Sequence, residues 1–144
     1  MEKILLPVDG STSCNKAVKK VSEIASWTEV EVSLINIIEE NPSLSEVASK
    51  DRIKDSFNKQ EELENQAKEV VNSCGKSLEG KVQKLNKIIK TGNPATKICN
   101  EANEGNYDMV VISDMGKSAV KKFFLGSTTE KVVRYCNKTV VVVK

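Results

Sequence analysis

Apolar residues along this chain come as short unbroken runs separated by stretches in which they recur at helical spacing. The first run, Lys3 to Val8, holds Ile4, Leu5, Leu6 and Val8 and closes at Pro7 and the turn Asp9-Gly10, which predicts a buried strand. Ser11, Thr12 or Ser13 can cap the helix that follows, where Ala17, Val18, Val21, Ile24 and Ala25 share one face. Val30 to Ile38 predicts a second strand. Beyond a polar loop around Asn41-Pro42 lies a long helix, mostly between Asp51 and Leu78. Its stripe of Ile53, Phe57, Leu63, Ala67, Val70, Val71, Cys74 and Leu78 is expected to face a core. Gly80 ends that helix, and Val82 to Lys90 predicts a third strand. Asn93 then caps a helix with Pro94 at its first position and Ala95, Ile98, Cys99 and Ala102 inward. Asp108 to Ile112, Thr128 to Cys136 and Thr139 to Val143 predict the fourth strand, fourth helix and fifth strand.

Strands alternating with helices, and strands apolar almost throughout, imply an α/β class: one doubly wound five-stranded parallel sheet with helices on both faces. No linker, repeat or low-complexity segment divides residues 1–144, so a single domain is expected. Ligands of such sheets sit at the carboxyl ends of the strands, beside the point where the winding reverses. If that point lies between strands one and four, the loop Pro7 to Ser11 meets the loop Ser113 to Ser127.

Composition narrows the chemistry. With 22 basic and 20 acidic residues interspersed, the net charge of +2 argues against a dedicated nucleic-acid surface. The run Thr139 to Val143 falls far short of the roughly 20 apolar residues of a membrane span, and the N-terminus has no signal-peptide plan, so a cytoplasmic protein without membrane contact is expected. There is no histidine, which removes Ser-His-Asp, Cys-His and histidine-ligated metal mechanisms. Cys14, Cys74, Cys99 and Cys136 form no C-x-x-C pair and are expected to be small, reduced core residues, with no metal site. No paired carboxylates sit at a spacing suited to two metals, so catalysis is not expected beyond slow nucleotide hydrolysis.

The richest candidate chemistry lies near the C-terminus. Met109 to Ser113 leads into Gly116, and nine residues later Gly126-Ser127-Thr128-Thr129-Glu130 opens a helix. Glycines let backbone N–H groups approach phosphate oxygens, and a helix start adds free N–H groups and a dipole that favours anions. Lys117 adds a compact positive charge. Val8, Ile37 and Ile112 offer apolar faces to an adenine ring, and Asp9 can accept from ribose hydroxyls. Each feature also has a plainer explanation. Ser127 to Glu130 is an S-x-x-E capping box, and Asp9-Gly10 is a tight turn. Gly75-Lys76-Ser77 and Gly116-Lys117-Ser118 are not P-loops, because Val70 and Val111 stand where the first glycine is required.

The I-L-L-P-V-D-G-S start, the Gly92-Asn93-Pro94 helix opening, and the Gly116, nine residues, Gly126-Ser127 pattern before T-V-V-V-V together resemble the universal stress protein family over essentially the whole chain. The resemblance implies strand order 3-2-1-4-5 and a homodimer joined through the fifth strand, Thr139, Val140, Val141, Val142 and Val143. Some members bind ATP or AMP and others bind none. The binders' pattern of Gly, two residues, Gly, nine residues, Gly, Ser/Thr falls here on Ser113, Gly116, Gly126 and Ser127, departing at Ser113. It implies adenine and ribose contacts from Pro7, Val8, Asp9 and Ile37, with phosphates held by the glycine loop, Ser127, Thr128 and Thr129, with or without Mg²⁺. Ser113 is expected to crowd the ribose or to disfavour the backbone angles of a glycine. The function expected is an adenine-nucleotide-binding stress or regulatory protein; the alternative is a nucleotide-free dimeric interaction module.

Overall fold

In the computed structural model, residues 1–40, 50–116 and 124–144 are described, with side chains considered outside 50–56. The strands are β1 (Glu2–Pro7), β2 (Val30–Ile38), β3 (Lys84–Thr91), β4 (Met109–Ser113) and β5 (Thr139–Val143); the helices are α1 (Thr12–Ala25), α2 (Lys50–Lys76), α3 (Pro94–Glu104) and α4 (Ser127–Tyr135). The strands form one sheet in the order β3-β2-β1-β4-β5, and every pairing is parallel.

Alternation along β1 shows how the two layers are built. Ile4 and Leu6 point to one face with Val32, Leu34 and Val111, where α1 contributes Ala17, Val18 and Val21 and α2 contributes Val71 and Cys74. Leu5 points to the other with Ile35, Val110 and Ile112, under Ala95, Ile98 and Ala102 of α3 and Val132 of α4. A central strand covered on both sides has no room for polar positions, which is why β1 reads as a continuous apolar run. Complete burial of Ile4, Leu5 and Leu6 contributes about 1.5–3 kcal/mol per side chain.

Local chemistry sets the helix starts. Of the three candidate caps before α1, Ser11 is the one used: its Oγ accepts from the Cys14 N–H at 3.1 Å. Asn93 accepts from the Thr96 N–H at 3.1 Å, with Pro94 at the first position of α3. Two boundaries and one burial depart from expectation. β3 begins at Lys84, leaving Val82 outside the strand but packed on the first core. α2 ends at Lys76, because Leu78 and Glu79 turn back to the Gly75 carbonyl and Gly80 takes a left-handed φ of 75°. Phe57, expected in the buried stripe of α2, is 72% exposed. The 27 residues of α2 extend about 40 Å, longer than the strands beneath, so its N-terminal part overhangs the sheet. Ile53 lies among the side chains not described.

Candidate functional site

The sheet reverses its winding between β1 and β4, as the order 3-2-1-4-5 requires. The loops leaving these strands meet there. A Cβ on Gly116 would lie 3.0 Å from Asp9 Oδ2, so the carboxylate that ends the first loop stands directly against the glycine of the other. Gly10, at φ 77°, makes the turn that lets Asp9 Oδ1 accept from the Ser11 N–H at 2.9 Å. Asn36 of β2 donates to the Val8 carbonyl at 2.7 Å and fixes the loop from its other side.

A cavity of about 700 Å³ opens over these strand ends. Pro7, Val8, Asp9, Ile37, Ile112, Ser113, Gly116, Gly126, Ser127, Thr128 and Thr129 all line it, so the structure brings together the candidate residues that it describes. Lys117 lies outside the described residues. The volume is within the range of small-molecule sites.

The start of α4 forms one wall. Gly126 is its N-cap and no side chain caps it, so the S-x-x-E box, the plainer alternative for Ser127 to Glu130, is not formed; Glu130 pairs with Arg134 at 3.1 Å. Ser127 is thereby left exposed at the first helical position. Among the described residues, no group accepts from the N–H of Ser127, Thr128 or Thr129. Unpaired N–H groups at the positive end of a helix dipole form an anion-binding surface. Thr129 plays a different part: its buried hydroxyl donates to the Ser113 carbonyl at 2.7 Å and ties α4 to the end of β4. Gly126 donates to the Asp114 carbonyl at 2.8 Å, and a Cβ on it would meet Gly116 N and Met115 Cα at 3.4 Å.

Ser113 does not adopt a left-handed backbone conformation. Its hydroxyl donates to the Met115 carbonyl at 2.9 Å, within its own loop.

The opposite wall was missed as a wall. Leu63, Gln66, Ala67 and Val70 of α2 line the cavity, as do Asn36 and Ile38 of β2 and Pro94 and Ile98 of α3. The apolar stripe of α2 was legible, but only the crossing of α2 over the strand ends assigns part of it to a cavity. Phe124 and Leu125 are exposed at the cavity edge.

β5 forms one edge of the sheet, paired with β4. Val141 and Val143 pack on the first core, Val140 and Val142 on the second, and Thr139 is exposed. Much of the apolar surface of β5 is thus used within the chain, and its outer edge is what it offers to another. Among the described residues, no helix is long and apolar enough to cross a membrane, and no group of three or more Cys, Asp or Glu side chains is placed to hold a metal.

A parallel five-stranded sheet in the order 3-2-1-4-5, with helices on both faces, defines the doubly wound α/β class. The Universal stress protein family model matches residues 1–144, and the chain belongs to that family. It is 31% identical to universal stress protein MJ0577 of Methanocaldococcus jannaschii, over 99% of this chain and 94% of the relative. The solved structure of that protein superposes with a TM-score of 0.87 at 30% identity, covering 99% of this chain and 95% of the other. Two more distant structures share the fold: a universal stress protein family protein of Arabidopsis thaliana with AMP bound (TM-score 0.71, 17% identity, 100% and 92% covered) and one from Archaeoglobus fulgidus in complex with dAMP (0.68, 18%, 100% and 98%).

Proposed function

We propose that the cavity between the β1 and β4 loops binds an adenine nucleotide, ATP or AMP, and that occupancy sets the conformation of residues 113–125 and hence the surface shown to a protein partner. The observation that carries the reading is the pairing, within one cavity, of the uncapped start of α4 with an apolar slot bounded by Val8, Ile37 and Ile112. Family membership supports it, as do the relatives solved with AMP and dAMP. In this reading the adenine lies against Val8, Ile37 and Ile112, with Pro7 beside it, and Asp9 accepts from the ribose. Gly116, Gly126, Ser127, Thr128 and Thr129 surround the phosphates, and Lys117 adds positive charge. Asp9, standing against Gly116, is the carboxylate available to a Mg²⁺ that accompanies ATP. The role is binding and regulation, in a stress response, rather than catalysis.

The second part of the reading is a homodimer formed through the outer edge of β5. An edge strand of four consecutive valines left open would be an aggregation hazard, and pairing with a second copy removes it.

Backbone amide NMR with AMP tests the location. The reading expects saturable shifts at Gly116, Gly126, Ser127 and Thr128, with little change on β3. Shifts confined to surfaces away from the β1 and β4 loops would overturn it. No shifts at saturating ATP or AMP would favour the nucleotide-free module.

A further inference from the structure

Among the described residues, two side-chain amides line the cavity: Asn36 near the end of β2 and Gln66 of α2. Gln66 is exposed and no described group bonds its amide, so it can turn either end to a ligand. Asn36 cannot. Its strand is paired on one side with β3, where Asn36 stands opposite Ile89, and on the other with β1, which the Val8 N–H extends by donating to the Ile35 carbonyl at 2.9 Å. The backbone beneath the amide is thus held from both sides. A carbonyl only accepts, so the Asn36 atom 2.7 Å from the Val8 carbonyl is Nδ2. Turning the amide over would set its oxygen against another oxygen.

This lock leaves Oδ1 without a described donor. Asn36 is half-buried, and the buried side-chain polar atom that lacks a partner among the described residues is an oxygen of Asp114, not of Asn36. The Asn36 oxygen is therefore accessible, through the cavity that its residue lines. Asn36 adjoins Ile37 in the chain and is bonded to Val8, and these are two of the residues that bound the apolar slot.

Purine chemistry decides what such an oxygen recognises. The N–H donor of an adenine base is its 6-amino group, whereas guanine and hypoxanthine carry a 6-oxo group there, an acceptor. A free amide rotates to suit either. Asn36, locked by the Val8 carbonyl, offers an acceptor to both, and two acceptors facing one another leave a desolvated polar group unpaired.

We propose that Asn36 is a specificity-determining residue of the cavity, which accepts from the 6-amino group through Oδ1 and so admits 6-aminopurine nucleotides while turning away 6-oxopurine ones. Its second Nδ2 hydrogen, for which no described acceptor stands, donates to the ring nitrogen beside that amine and completes the two-bond pairing of Asn with adenine. The Val8 carbonyl is the positioning group. This inference rests on the nucleotide reading of the cavity and adds which purine is taken and by which atoms.

The test is calorimetric titration of the natural chain and of Asn36→Leu with AMP and with IMP, which differ in the 6-substituent and in the proton on the adjoining ring nitrogen. Leucine keeps the shape of the side chain and removes both polar ends. The natural chain should bind AMP at least about tenfold tighter than IMP, and Asn36→Leu should lose most of that ratio. A role confined to holding the Val8 loop, or a contact to the ribose, would weaken both nucleotides alike; an unchanged ratio in the variant would thus overturn the proposal. Should Asn36→Leu fail to fold, the side-chain amide resonances of Asn36 in the natural chain decide: they should shift at saturating AMP, and their staying in place would overturn it. The two readings fail differently. AMP and IMP bound with equal affinity by the natural chain would remove the role of Asn36 alone, whereas binding of neither would overturn the nucleotide reading and this inference with it.

Discussion

Replacing Thr129 by Val removes one hydroxyl and keeps the side-chain shape. Its Oγ1 lies 2.7 Å from the Ser113 carbonyl, with Thr129 3% and Ser113 7% exposed, so water cannot readily replace the lost bond. Leaving a buried carbonyl short of a partner costs about 1–3 kcal/mol. For a chain of 144 residues, an unfolding entropy of about 2 cal/mol/K per residue converts 2 kcal/mol into a fall in Tm of about 7 °C. The assay is urea and thermal unfolding at one fixed protein concentration, since association through β5, as proposed, would make apparent stability depend on concentration. Thr129→Ser keeps the hydroxyl and loses a methyl, costing about 1 kcal/mol, so stability should rank natural chain, Ser, then Val. A Val variant within about 0.5 kcal/mol of the natural protein, or a Ser variant less stable than Val, would refute the view that this bond fastens α4 to β4.

Other outcomes follow from the same geometry. Gly126→Ala should leave the unfolding midpoint within about 0.5 kcal/mol, because its Cβ meets only contacts of 3.4 Å or more at a φ of −57°; yet it should weaken AMP binding at least about tenfold, or 1.4 kcal/mol, by filling the approach to Gly116. Equal affinity would remove Gly126 from the phosphate site. Glu101 is held below its ordinary 4.5, against burial, by hydrogen bonds from Lys90 and Tyr107. A depressed carboxylate gives stability that is present above the unfolded value and lost as pH falls through the folded one, so Glu101→Gln should lose less stability than the natural chain on acidification from pH 5. The same acid slope in both would contradict this. Light scattering should give about twice the 15.9 kDa chain mass, and Val141→Lys should give monomer or insoluble protein; an unchanged dimer would exclude β5 as the joint.

How much of this was legible in the sequence varies with the physics. β1 and β2 were readable because burial on both faces leaves an uninterrupted apolar run, and α3 because Asn93-Pro94 fixes its start chemically. The beginning of β3 was not, since an edge strand with polar positions carries a weaker pattern. Phe57 misled because helical periodicity says which face is apolar and not how far the sheet extends beneath it. At the site, the glycines and the small hydroxyl residues of the α4 start were visible as a spacing, and so was the competing capping box. Only the geometry separates them: Gly126 takes the cap, and Thr129 turns its hydroxyl to Ser113. The cavity wall from α2 depends on contacts between residues distant in sequence, which periodicity does not encode.

The central claim is that the cavity between the β1 and β4 loops takes an adenine nucleotide although Ser113 stands at the first glycine position. Calorimetric titration of nucleotide-stripped protein with ATP and with AMP, with and without Mg²⁺, beside Ser113→Gly, tests it most directly. Saturable binding at one site per chain is expected in the natural protein, and tighter binding in the variant. Absence of saturable binding in the natural protein, with binding restored by Ser113→Gly, would contradict it and leave a dimeric interaction module whose nucleotide site the serine has closed.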